Sequence, residues 1–257
     1  MLAIASDKSW PCGLCPVGAG SRRWRMDELA SLPDHHHDVH SRTRIVLRPL
    51  GSPLPLGLLA LAPAGLLLSC LQIGAFPVSE TKTVALLILG FAAPLELIAA
   101  VLCFFARDTI GGSGLGVFAG AWVASGLVLV SSPTGATSPA FGVFLLAIAV
   151  AMLVLVAAAA GGKAGPAAVM TVGSARFLLA GLYELDASVG VEHASAIVGF
   201  VLVSVAGYTS LATTIEDAHG QSKLPIGRRA RAAMAIEGPF SKQLDGIEHE
   251  AGVRQQL

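Results

Sequence analysis

From residue 53 onward, long apolar runs alternate with short polar breaks. The runs are Pro53–Phe76, Thr83–Ala106, Leu115–Val130, Pro139–Gly161, Ala167–Leu185 and Ala194–Thr214. A helix needs about 20 apolar residues to cross the ~30 Å hydrocarbon layer of a bilayer. The runs are continuous rather than alternating, which argues against the strands of a membrane barrel. Backbone groups in lipid must bond within their own segment, so the pattern predicts helices. The third run is short unless Gly111–Gly116 belongs to its start, and Arg176 and Glu184 interrupt the fifth. The expected fold class is an all-α membrane protein, a bundle of six transmembrane helices.

The breaks are VSETK, ARDTIGG, SSPTGATS, GGKAG and DASVGVEH. Cationic residues near helix ends set orientation. Arg42, Arg44 and Arg48 precede the first run, and Lys223, Arg228, Arg229 and Arg231 follow the sixth. Arg107 and Lys163 fall on the same side by alternation, and only Lys82 on the other. Both termini are therefore expected on the cytoplasmic side of the cell membrane. Three segments result: a disordered N-terminal tail over 1–49, a six-helix domain over 50–214 and a cytoplasmic C-terminal tail over 215–257. The leader lacks the apolar core and cleavage pattern of a signal peptide, and Met26 is an alternative start.

Composition agrees. The 257 residues are 54% hydrophobic and 13% charged, against roughly a quarter charged in soluble domains. Abundant Gly and Ala suit close helix contact in lipid. The formal net charge is zero, so no global basic surface marks a nucleic-acid partner. Cys12 and Cys15, with His35, His36, His37 and His40, invite a zinc reading, but a structural site wants ligand pairs inside a folding unit. No His-box, carboxylate pair or nucleophile with its base emerges, so neither an enzyme nor a cofactor is expected. The Gly-rich 110–116 is not followed by the Lys-Ser/Thr of a phosphate loop.

Two charges fall mid-run, Glu96 and Arg176. A charge at bilayer depth costs at least about 2.5–3.5 kcal/mol, so each needs a partner or a wet cavity. In one reading they pair and lock two helices together. In another, Arg176 grips a carboxylate with its planar fork of donors and Glu96 exchanges a proton. His193, before the last run, is a candidate proton sensor, histidine being the side chain suited to that role. Tyr208 carries a hydroxyl that needs an acceptor if buried. Pro53 and Pro55 sit where a first helical turn tolerates proline, whereas Pro63 lies about two turns inside and predicts a kink.

These residues also carry a resemblance. SPLPLG at 52–57 resembles the Asn-Pro-Ala-Pro-Leu-Gly signature of the acetate uptake transporters, the succinate–acetate permease family. HGQSKLPIG at 219–227 is similar to that family's closing Leu-Pro-Ile-Gly motif, and RDTIG at 107–111 to its turn after the second helix. Phe118 and Trp122 keep the aromatic spacing of its third helix, and His193 and Tyr208 match a His and a Tyr of the sixth. The resemblance implies a hexamer of six-helix protomers, each with its own path for acetate or related short carboxylates, often with a proton. It places Ser52, Pro53, Pro55 and Leu56 at the mouth of that path. It places Leu61, Phe118 and Gly173 at its narrow point, with Glu96, Trp122, Arg176 and Tyr208 along it. The sequence departs from the family pattern at Ser52 (Asn there), Glu96 (Gln there) and Gly173, so a larger carboxylate or ammonia is an alternative solute. A non-transporting membrane sensor or scaffold is the other alternative.

Overall fold

The computed structural model describes residues 51–159, 162, 164–219 and 221–228. The expectations on residues 1–49, including the cysteine–histidine cluster, and on the charged end lie outside them. Six helices are long and apolar enough to cross a membrane: α1 Leu54–Gln72, α2 Val78–Phe105, α3 Thr109–Ser131, α4 Pro139–Ala159, α5 Ala164–Asp186 and α6 Val189–His219. The chain is a multi-pass, all-helical membrane protein. Each helix packs on its sequence neighbours, and α6 closes back onto α1, so the bundle is a ring. Short connections make successive helices antiparallel. The face where α1 begins and α6 ends is called the terminal face below.

Helix boundaries run past the apolar runs because capping chemistry, not hydropathy, decides them. Asp108 starts α3 six residues before apolar residues dominate: its side chain accepts from the Gly111 amide at 2.9 Å. Arg107, ahead of it, takes φ 60° and ends α2, with its amide on the Phe104 carbonyl. Gly111–Gly116 therefore does belong to the third helix. In α1, Pro53 stands at the N-cap and Pro55 in the first turn, while Pro63 is tolerated inside the helix on an exposed position.

α2 is not a uniform α-helix. A 3-10 turn, Val78–Glu80, leads into Thr81–Leu87, a π-helical turn follows over Ile88–Ala92, and Ala93–Phe105 completes it. Pro94 gives the reason, since it has no N–H to offer the preceding turn and its ring crowds that turn's carbonyls. The widened turn re-registers the face of α2 just before Glu96.

Where helices touch most closely, side chains vanish. A Cβ at Gly142 of α4 would stand 2.9 Å from the Gly181 carbonyl of α5, and a Cβ at Gly181 2.9 Å from the Gly142 carbonyl. The two backbones are in reciprocal contact, the small-residue packing that replaces hydrophobic driving force in lipid. Leu, Val, Ile and Phe side chains cover the outer surface, among them Leu59, Phe105, Val154 and Ile197.

The Leu-Pro-Ile-Gly segment folds back on the terminal face. The Ala164 and Gly165 amides, free at the start of α5, donate to the carbonyls of Gly227 and Ile226 at 3.1 and 3.0 Å. Ile226 is buried, Gly227 has φ +65°, and the Tyr208 hydroxyl donates to the Pro225 carbonyl at 3.0 Å. Arg228 pairs with Glu216 of α6.

Candidate functional site

The ring encloses a cavity of about 300 Å³ in the half away from the terminal face. All six helices contribute to its wall, α1 through Gly65 and Gln72, α3 through Phe118 and Trp122, α5 through Arg176 and Phe177. It is mainly apolar, with polar groups confined to a few side chains. In the terminal half lies a much smaller pocket of about 10 Å³, walled by Leu54 and Leu58 of α1, Leu115 of α3 and Met170 of α5 among others. Phe118 belongs to the wall of both.

Phe118 is 2% exposed and is held from two sides. Its ring lies against Phe177 with centroids 5.5 Å apart and planes tilted by 41°. On the α5 side it fills the space a side chain at Gly173 would take, since a Cβ there would meet Phe118 Cζ at 2.5 Å. The glycine is thus a socket, and the ring is the septum between the two cavities. One helical turn further along α3, Trp122 lines the large cavity and donates from its indole nitrogen to Glu96 Oε1 at 2.9 Å. Glu96 itself is fully buried behind the indole, and its Oε2 has no hydrogen-bond partner.

Arg176 is 6% exposed. It donates to Gln72 at the end of α1 and to the Ser195 hydroxyl of α6. The expected lock between Glu96 and Arg176 therefore does not form: Glu96 is held by Trp122, and Arg176 bridges α1, α5 and α6. Their helices are not neighbours in the ring, which is what sequence spacing could not convey. Glu192 lies on the same cavity and interacts with both Tyr183 and Arg176. Glu184, also on the wall, accepts from the Ser138 amide at the start of α4 at 2.7 Å.

A family model described as the GPR1/FUN34/yaaH family matches residues 40–226. The chain belongs to this family. An 82-residue stretch, 32% of this chain, is 32% identical to acetate permease A of Emericella nidulans. That stretch spans only 28% of the permease. Among solved structures, that of the bacterial acetate channel SatP superposes with a TM-score of 0.62 at 19% identity, covering 69% of this chain and 99% of the channel. The likeness is one of fold.

Within this GPR1/FUN34/yaaH member, the predicted site residues separate into four places. Phe118, Trp122 and Arg176 meet on the large cavity. Leu61 and Glu96 are fully buried in helix packing, outside either cavity wall. Ser52, Pro53, Pro55, Leu56 and Tyr208 gather at or beside the terminal face. There the Ser52 amide donates to Asp217 and the Ser210 hydroxyl to the Pro55 carbonyl at 3.1 Å. Tyr208 is 44% exposed and binds the folded-back Pro225, so its hydroxyl serves the strap. Neither Pro53 nor Pro55 reaches the small pocket, whose α1 wall is made by Leu54 and Leu58. His193 is exposed at the start of α6, while its neighbour Glu192 faces the cavity. Sequence reading missed Gln72, Phe177, Glu192 and Ser195. Gln72 had a signal, as a polar residue near the end of an otherwise apolar run. The others needed the rotation of α5 and α6.

Proposed function

We propose that this protein passes acetate and related short carboxylates across the cell membrane. The solute would travel from the large cavity, past Phe118, to the small pocket and the terminal face. Both termini are assigned to the cytoplasm on the strength of the cationic bias, and a hexamer of such protomers follows from the family resemblance. The observation that carries the reading is the shared wall: one aromatic ring is common to two cavities that lie in opposite halves of the bundle. A narrow point of this kind needs only a rotation of Phe118 about its own bonds, a motion of single side chains rather than of helices. Membership of the family and the named permease and channel relatives support acetate as the first solute to test.

The test is labelled acetate uptake into liposomes carrying the purified protein, with and without an inward proton gradient. Uptake above that of empty liposomes is expected. Equal uptake, with the protein shown to be inserted and folded, would sink the reading. A gradient-dependent rate would add a travelling proton.

A further inference from the structure

We infer that Arg176 is the anion site of the large cavity, and that the site selects monocarboxylates with apolar tails of several carbons over both acetate and dicarboxylates. The inference rests on the transport reading for its cellular meaning but not for its chemistry. A guanidinium withdrawn from water at bilayer depth requires compensation. Its two hydrogen-bond partners, Gln72 and Ser195, are both neutral. No carboxylate stands within ion-pair distance of it among the described residues, and Glu192 acts on it only through space. A small anion would supply the missing charge, and a guanidinium matches a carboxylate with two parallel donors.

A second observation points to the same spot. Ser69, fully buried on α1, has a hydroxyl with no hydrogen-bond partner. Both that hydroxyl and Arg176 Nε crowd the place where a side chain at Gly199 would begin. An unpaired buried hydroxyl is costly, and here it adjoins an undercompensated cation. Gly199 leaves them the room, as a residue of the cavity wall without a side chain.

The rest of the cavity sets the tail. At about 300 Å³ it is far larger than acetate requires and reaches the lower end of sites for drug-sized ligands. The cavity wall includes the apolar Phe177, Ala180, Leu145 and Leu202. Ala180 lies one turn along α5 from Arg176, on the same helical face. Glu184 and Glu192 sit on the same cavity, so a second carboxylate on the solute would meet like charge.

Equilibrium binding of labelled hexanoate to the full chain in nanodiscs tests this, with acetate and succinate as competitors. Hexanoate is expected to bind at least tenfold tighter than acetate, with succinate weakest. Arg176→Gln should weaken hexanoate at least tenfold, and Ala180→Phe should weaken hexanoate by a larger factor than acetate. Hexanoate binding that survives Arg176→Gln intact, or succinate competing as well as hexanoate, overturns the inference. Should Arg176→Gln not fold, Glu192→Gln keeps the guanidinium and should strengthen succinate about tenfold. No change in succinate there, together with no effect of Ala180→Phe, also overturns it. The two readings separate cleanly. Arg176-dependent binding without acetate flux in liposomes defeats the transport reading and leaves the site. Flux with binding indifferent to Arg176 does the reverse.

Discussion

Removing the septum is the most direct perturbation, and Phe118→Ala does it. The ring rests against Phe177 at 5.5 Å and in the socket left by Gly173. To let a solute by, it must leave that stacking contact. Aromatic pairs contribute about 0.5–1.5 kcal/mol beyond their buried area. If that contact is the local part of the barrier, losing it lowers the activation free energy by the same amount. At 1.36 kcal/mol per tenfold, acetate flux should rise roughly two- to twelve-fold. The variant should also admit solutes that the wild type excludes, because alanine leaves the two cavities joined. Its cost in stability has an upper limit of about 3–5 kcal/mol, the range for Phe→Ala in packed interiors. Melting should therefore be measured beside flux. The assay is stopped-flow or filter uptake of labelled acetate in liposomes, with a neutral polyol of larger size as a leak control. Wild-type flux and wild-type selectivity in a folded Phe118→Ala protein would place the barrier elsewhere and refute the septum argument.

Substitutions at three other positions probe the frame. Glu96→Gln keeps an acceptor for the Trp122 indole and should cost little, whereas Glu96→Leu strands a buried N–H and should cost about 1–3 kcal/mol in thermal melting; equal melting of the two would remove the bond from the account. Gly181→Val sets a branched side chain against the Gly142 carbonyl and should lower the melting temperature by the equivalent of at least ~1–3 kcal/mol of overpacking, with an unchanged melt disproving the backbone contact between α4 and α5. Gly227→Ala forces a side chain into a left-handed φ, costing about 1–2 kcal/mol, and its Cβ would lie 2.6 Å from that of Ala164. Hydrogen exchange at the Ala164 and Gly165 amides should then quicken while the middle of α5 stays protected, and unaltered exchange would mean the strap does not cap α5.

Much of this protein was legible along the chain. Lipid cannot hydrogen-bond a backbone, so six long apolar runs had to become six helices, and short breaks had to make them antiparallel. Pro53 and Pro55 announced the entry to α1, because proline chemistry is local; the start of α3 was left open along the chain, and its Asp108 cap emerged only with the fold. The π-helical turn around Ile88–Ala92 was less legible, although Pro94 stood beside it, since a proline permits several ways of repairing a turn.

What only the tertiary structure decided is how the helices are rotated about their axes and which of them meet across the ring. An apolar run in lipid is hydrophobic all round, so periodicity does not tell which face looks inward. For that reason Glu96 and Arg176 looked like partners in sequence, yet Glu96 meets Trp122 and Arg176 meets Gln72 and Ser195. Tyr208 went to the strap and Glu192, not His193, to the cavity for the same reason. Phe118 was visible as a candidate from the start, but its place between two cavities depends on Gly173 and Phe177 of a helix more than fifty residues away, brought opposite by the closing of the ring.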